Sequence, residues 1–307
     1  YPFYETARAA GPFFYWPDYG LTCTTNAAAC NAIFRDRRFG RECPAELAPP
    51  IPAHLAPFYA VEAHSMLELE PPRHTRLRSL VLRAFTSRRI NALGPEITTL
   101  SHELIDALPD GPFDLLKHFG QKLPVIIIAR MLGVPEDMSD DLLRWSNAMV
   151  GMYMAGRTPE TEARAVAATE AFVAFMRGYI EARRADPRDD LITSLIAAEE
   201  AGEKLSTDEL ITTCILLLNA GHEATVHTIG NGVKTLLETG NSITPETAET
   251  CIEEILRFDP ALHMFTRWAY TDVEVMGHSF KRGDQVALLL AAANRDPGVW
   301  DDPDAFQ

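Results

Sequence analysis

The sequence predicts a mainly α fold with a small antiparallel β region. Three observations lead to it. Apolar residues recur at helical spacing in one segment after another between residues 90 and 258. The longest such segment, Leu210–Leu237, opens on a capping signal, with Ser206 and Thr207 followed by Asp208 and Glu209. Strand-like character is concentrated between Phe265 and Leu290, where TRWAYTDVEVMG, a turn at residues 281–284 and QVALLLAAA succeed one another.

In chain order, Tyr1–Arg8 reads as a short aromatic helix ended by Gly11-Pro12, and Phe13–Tyr19 as a strand. Asn26–Phe34 is helical, and the prolines at 44, 49, 50, 52 and 57 make 44–57 a loop. Helices are then expected at 73–85, 90–108, 124–131, 139–154, 160–184 and 190–201, with Asp189 or Asp190 capping the last. After the central helix, TPETAETCIEEILRF predicts a helix over 245–258. No internal repeat, low-complexity tract or linker interrupts the series, so residues 1–307 read as one domain.

The chain has 307 residues, an apolar share of 47% and a formal charge of -15. That balance excludes generic nucleic-acid binding and fits a globular protein with a substantial core. Five cysteines without paired short spacing argue against a disulfide or zinc framework. No basic-then-apolar leader is visible, and no charge-free run reaches the ~20 residues of a membrane span. A cytoplasmic, soluble monomer is the expectation.

The central segment carries a local conflict. Leu210 through Leu218 is apolar on nearly every side, as in a buried helix. Its middle then reads NAGHEAT, where Ala220 and Gly221 remove bulk and Glu223 and Thr225 bring polar groups. One reading is a core helix with a packing glycine and a hydrogen-bonded acid. Zinc is excluded: His222 and His227 are five apart, so their imidazoles point about 140° apart around a helix of ~3.6 residues per turn. The third reading is a notch against which something flat can lie. A second conflict is RHTRLRSLVLRAF, a basic helix in an acidic chain. His74 and Arg78 share a face and can both reach one anion. A solvated basic face, including Arg76 and Arg83, is the competing reading.

Five stretches in this order resemble a bacterial cytochrome P450, a haem-thiolate monooxygenase: PPRHTRLRSLVLRAF, NAGHEATV, EEILRFDP, FTR before a hairpin, and NRDPGVWDDPDAF. The likeness covers essentially the whole chain. It implies a single-domain, helix-rich fold of that type and haem b as cofactor. His74 and Arg78 are implied to hold one haem propionate, and Arg267 to hold a propionate from the strand side. Ala220 and Gly221 are implied to make room for dioxygen and substrate. Glu223 matches the acid that relays protons to dioxygen. The hydroxyl residue that normally follows it is Ala224 here, and Thr225 stands one position on. Glu254 and Arg257 match a buried structural ion pair. The basic helix around Arg76 and Arg83 is implied to face an acidic ferredoxin-type partner that brings electrons from NAD(P)H.

The axial cysteine is expected beyond Gln307, since Cys23, Cys30, Cys43, Cys214 and Cys251 all lie in the wrong context. No metal ligand is therefore assigned within the chain, and turnover by these residues alone is not expected. Phe58, Tyr59, Met66 and Met149 are expected to line the pocket of a small apolar substrate. The rival reading is a non-catalytic, haem-free scaffold that binds a ligand or a partner.

Overall fold

A computed structural model describes residues 1–200 and 202–307, with only the backbone given for Glu199 and Glu200. The elements run α1 (Pro2–Ala9), β1 (Phe14–Trp16), β2 (Leu21–Thr24), α2 (Ala27–Arg35), β3 (Phe39–Gly40), α3 (Ala56–Glu62), α4 (Arg73–Ala84) and α5 (Ser87–Asp106). There follow α6 (Lys122–Leu132), α7 (Ser139–Val150), α8 (Pro159–Ala185), α9 (Leu191–Ala197), β4 (Glu199–Glu200), β5 (Glu203–Lys204) and α10 (Thr207–Thr239). The chain continues with α11 (Ala248–Phe258), β6 (Met264–Ala269), β7 (Val273–Val275), β8 (His278–Phe280), β9 (Gln285–Leu289) and α12 (Leu290–Ala293). Among the described residues, no helix is long and apolar enough to cross a membrane.

Side-chain caps open five of the helices. Asn26, Thr86, Thr158 and Asp190 each accept a hydrogen bond from a backbone N–H three residues on, opening α2, α5, α8 and α9. Ser206 and Glu209 cap α10 reciprocally: Ser206 N donates to Glu209 Oε2 at 2.8 Å and Glu209 N to Ser206 Oγ at 3.2 Å. Several boundaries differ from the sequence expectation, among them the end of α7 at Val150 rather than Met154. The proline-rich loop gives way to α3 at Ala56, because Pro57 sits in the first turn, where no N–H is needed. Helix α5 starts earlier and runs through Pro95. Helix α11 starts only at Ala248, because Thr244 and Thr247 close a turn of their own. The helix expected over 190–201 ends at Ala197, and its expected end at Ala201 lies outside the described residues.

The chain divides into two compact units. Residues 1–49 and 227–307 form the first. It holds a five-stranded sheet of order β1-β2-β9-β6-β3. All pairings are antiparallel except β2–β9, which is parallel and departs from the expected all-antiparallel region. Strand β2 is only four residues long and β3 only two; they are strands because β9 and β6 offer them an edge. Helix α2 packs its Cys30 and Ile33 with Phe39, Phe280, Val286 and Leu288.

Residues 50–226 form the second unit, a helical body around Leu142, Phe172, Met176, Ile180 and Leu218. Its ends are tied by a buried ion pair. Arg183 Nε donates to Asp190 Oδ2 at 2.6 Å, and its Nη2 donates to the Gly133 carbonyl at 3.0 Å. The Tyr179 hydroxyl also bonds that carbonyl and accepts from Arg183. Gly133 closes α6 in the left-handed conformation, where a side chain would meet Asp190.

Replacing Arg183 with alanine leaves Asp190 buried without its cation. We expect a loss of about 3–5 kcal/mol in unfolding free energy. A urea titration read by circular dichroism checks it, and a loss under ~1 kcal/mol would mean that Asp190 finds water instead.

Candidate functional site

The second unit contains an open cavity of about 760 Å³. That lies within the ~300–1,000 Å³ usual for small-molecule sites. Its first wall is α10. An apolar helix leaves side chains on all faces, but here Ala220, Gly221, Ala224 and Thr225 form an exposed strip in mid-helix. Leu216, Leu217, Ala220, Gly221 and Thr225 of that helix line the cavity. A Cβ on Gly221 would come to 3.0 Å from Ile128 Cδ1, so the glycine also lets α6 approach closely. The two readings of that glycine, packing and open notch, therefore both hold.

The second wall is α4, which turns His74, Arg78, Val81 and Leu82 toward the cavity. His74 is half-buried and Arg78 exposed. Among the described residues neither makes a hydrogen bond or an ion pair with another side chain. In a chain with 43 acidic residues against 28 Lys and Arg, an Arg78 left without a carboxylate stands out, and a guanidinium so placed can take an outside anion. The remaining lining is apolar and comes from Met66, from Leu93 and Ile97 of α5, and from Pro124, Ile127, Ile128 and Met131 of α6.

Thr225 donates its hydroxyl to the Gly221 carbonyl at 2.8 Å while lining the cavity. Glu223 does not line it. Two residues from Gly221, it lies about 200° around the helix and is half-buried. His222 is buried, 1% exposed. Of the four expected pocket residues only Met66 lines the cavity. Phe58 and Met149 are 2% and 0% exposed and belong to the apolar core, with Tyr59 packed against it. Bulky apolar side chains near a site are drawn into the core by the same burial that would line a pocket. The expected partner-facing role of Arg76 also needs correction: its guanidinium is taken up by Glu209, Glu203 and the Lys204 carbonyl.

The first unit holds the other expected residues. Arg267 donates to its neighbour's carbonyl, Thr266 O, at 2.8 Å and lies over the Phe34 ring. Glu254 and Arg257 form a buried bidentate pair, Nε to Oε2 at 2.6 Å and Nη2 to Oε1 at 2.7 Å. Arg257 also donates to the carbonyls of Asn294, Pro303 and Ala305, and Gln307 N donates to Glu254 at 2.6 Å. Burial works to raise the Glu254 carboxyl, but the hydrogen bonds from Arg257 and Gln307, with the charges of Arg257 and Arg295, hold it below the usual carboxylate range.

Haem b is an apolar plate with two acid arms, and the cavity offers an apolar lining, an exposed small-residue strip, the Arg78 guanidinium and the His74 imidazole. Those residues fit such a group. They offer no thiolate: no cysteine lines the cavity, and burial pushes the fully enclosed Cys214 thiol up to about 12. Among the described residues, no cluster of three metal-ligating side chains occurs.

Comparison with known proteins gives the following. The family model Cytochrome P450 matches residues 45–240 and 246–307. Vitamin D(3) 25-hydroxylase of Pseudonocardia autotrophica is 36% identical over 318 residues, covering 99% of this chain and 75% of that protein. Polyketide biosynthesis cytochrome P450 PksS of Bacillus subtilis (strain 168) is 37% identical over 246 residues, 78% of this chain and 60% of PksS. The match to that relative spans less than two thirds of its length. Among solved structures, P450BioI in complex with an acyl carrier protein ligated to hexadec-9Z-enoic acid superposes with TM-score 0.93 and 31% identity, over 100% of this chain and 80% of that one.

The depressed Glu254 carboxyl fixes a sign. Its contribution to stability is present above the unfolded carboxylate pKa of ~4.3 and is lost as pH falls through the lower folded value. We expect Glu254→Gln to destabilise the protein at neutral pH and to flatten the acid limb of its stability profile. Thermal unfolding from pH 7 to 3 checks this, and an unchanged acid limb would remove Glu254 as the titrating group.

Proposed function

The chain belongs to the cytochrome P450 family, and from that premise we propose that its full-length protein is a haem-dependent monooxygenase. It would insert one oxygen atom of dioxygen into a small apolar substrate. Electrons would come from NAD(P)H through a ferredoxin-type partner. Hydroxylase and epoxidase names among the relatives, such as mycinamicin IV hydroxylase/epoxidase of Micromonospora griseorubida, support this reading. The observation that carries it is the His74 and Arg78 pair, without carboxylate partners among the described residues, set in an apolar cavity beside exposed small residues.

His74 and Arg78 would hold a haem propionate by charge-assisted hydrogen bonds. When bound, haem b with a thiolate ligand supplies the oxygen chemistry. The protein's own residues bind, orient and move protons. Ala220 and Gly221 keep the helix face low. Thr225 holds its hydroxyl proton on the Gly221 carbonyl, and a turn about one side-chain bond presents it to the cavity. Glu223, on another side of the helix, would feed protons to that hydroxyl through water. The Arg78 guanidinium, facing the cavity without a carboxylate, argues against a scaffold that has given up haem. Glu254 and Arg257 would serve structure alone, tying α11 to residues 294–307.

The reduced carbon monoxide difference spectrum of the full-length protein tests the activity class, and the absence of a thiolate-type band would overturn it. The clamp has its own test in metal-free protoporphyrin IX and its dimethyl ester, followed by fluorescence. The diacid is expected to bind more tightly, and Arg78→Ala to lose about 1.5–3 kcal/mol of that preference. For the proton route, Thr225→Ala is expected to lower product formed per NAD(P)H consumed by about tenfold or more, with Thr225→Ser retaining most of it.

A further inference from the structure

We propose that Arg76 is a positioning residue of this site: it fixes the rotation of α4 about its own axis and so aims His74 and Arg78 at the cavity. The inference rests on the reading of those two residues as an acid clamp. Arg76 lies two positions from each of them, about 200° around the helix, so it points away from the cavity that they face. There its guanidinium meets three acceptors. Nη1 donates to Glu209 Oε1 at 2.7 Å, Nη2 to the Lys204 carbonyl at 2.9 Å, and Nε to Glu203 Oε2.

Glu209 is itself fixed, because its carboxylate accepts from Ser206 N in the cap of α10. One guanidinium thus joins the helix that carries His74 and Arg78 to the first turn of the helix that carries the notch. A planar fork holding two carboxylates and a carbonyl tolerates little rotation. Arg73 also ties the start of α4 by donating to the Ala63 carbonyl, while the buried Leu77, Leu80 and Val81 hold the helix by apolar contacts, which are non-directional. A rotation of about 20° at the ~5–6 Å radius of a helix surface moves a side-chain head by roughly 2 Å. Displacements of that size are enough to break a hydrogen bond to an acid arm.

Arg76 is about a third exposed, with 35% of its side chain open to solvent, so its net contribution to stability is small. Direction is what it supplies. The Glu209 carboxyl is consistent with this: burial works to raise it, but the Arg76 and Ser206 hydrogen bonds outweigh burial and hold it low.

The test is the ratio of affinities for protoporphyrin IX and its dimethyl ester, measured by fluorescence on the whole chain. Arg76→Ala is expected to cut the wild-type preference for the diacid by roughly three- to tenfold. Arg76→Lys, which keeps the charge without the fork, is expected to fall between. A residue that merely supports the fold would weaken both ligands alike and leave the ratio unchanged. That result, with helical content intact by circular dichroism, overturns the proposal. Should Arg76→Ala not fold, Glu203→Gln and Glu209→Gln carry the same expectation. A wild type without diacid preference defeats the clamp reading and the role of Arg76 with it. A wild-type preference that survives every Arg76 and Glu209 variant defeats only the latter.

Discussion

An apolar cavity with His74 and Arg78 on one wall and a low strip of α10 on another sets the constraint around which the second unit is arranged. Arg78 faces it without a carboxylate partner among the described residues, and a guanidinium so placed is tolerable because it stays exposed to water. The mid-helix strip on α10 has the same logic. Exposed Ala220, Gly221, Ala224 and Thr225 leave backbone bare where an apolar helix would otherwise bury its side chains. Each feature is a small loss in stability taken alone. Under the proposed function, a flat molecule with acid arms would offset both.

The scaffold answers with rigidity placed away from the cavity. Arg183 and Asp190 join the ends of three helices through a dry ion pair. Arg76 and Glu209 join two cavity walls from behind. Neither network touches the cavity, yet both fix helices that line it. Stability and preorganisation are thus separated in space from the groups that meet the ligand.

How much of this is legible in the sequence depends on whether a residue breaks a local pattern. Ala220-Gly221 and the His74/Arg78 pair stand out because small residues in a greasy helix and cations in an acidic chain violate their surroundings. The α5 and α6 wall is invisible, since Ile97, Ile127 and Ile128 fit a helix pattern equally well as core or as lining. Phe58 and Met149 fail for the same reason in the opposite direction. Arg76 is misread as surface because its carboxylate partners lie 127 and 133 residues further on. Charge runs look alike whether water or a distant glutamate completes them. The helices themselves are predictable from caps and periodicity, whereas β2 and β3 exist only through their neighbours.

The grip of Arg257 on the carbonyls of Asn294, Pro303 and Ala305 makes one side chain the junction of two stretches of the first unit that are far apart in sequence. These bonds close loops of 37, 46 and 48 residues. Losing that one guanidinium would take the donor from three carbonyls and the cation from the buried Glu254 carboxylate at once, so damage at a single position would spread over both stretches.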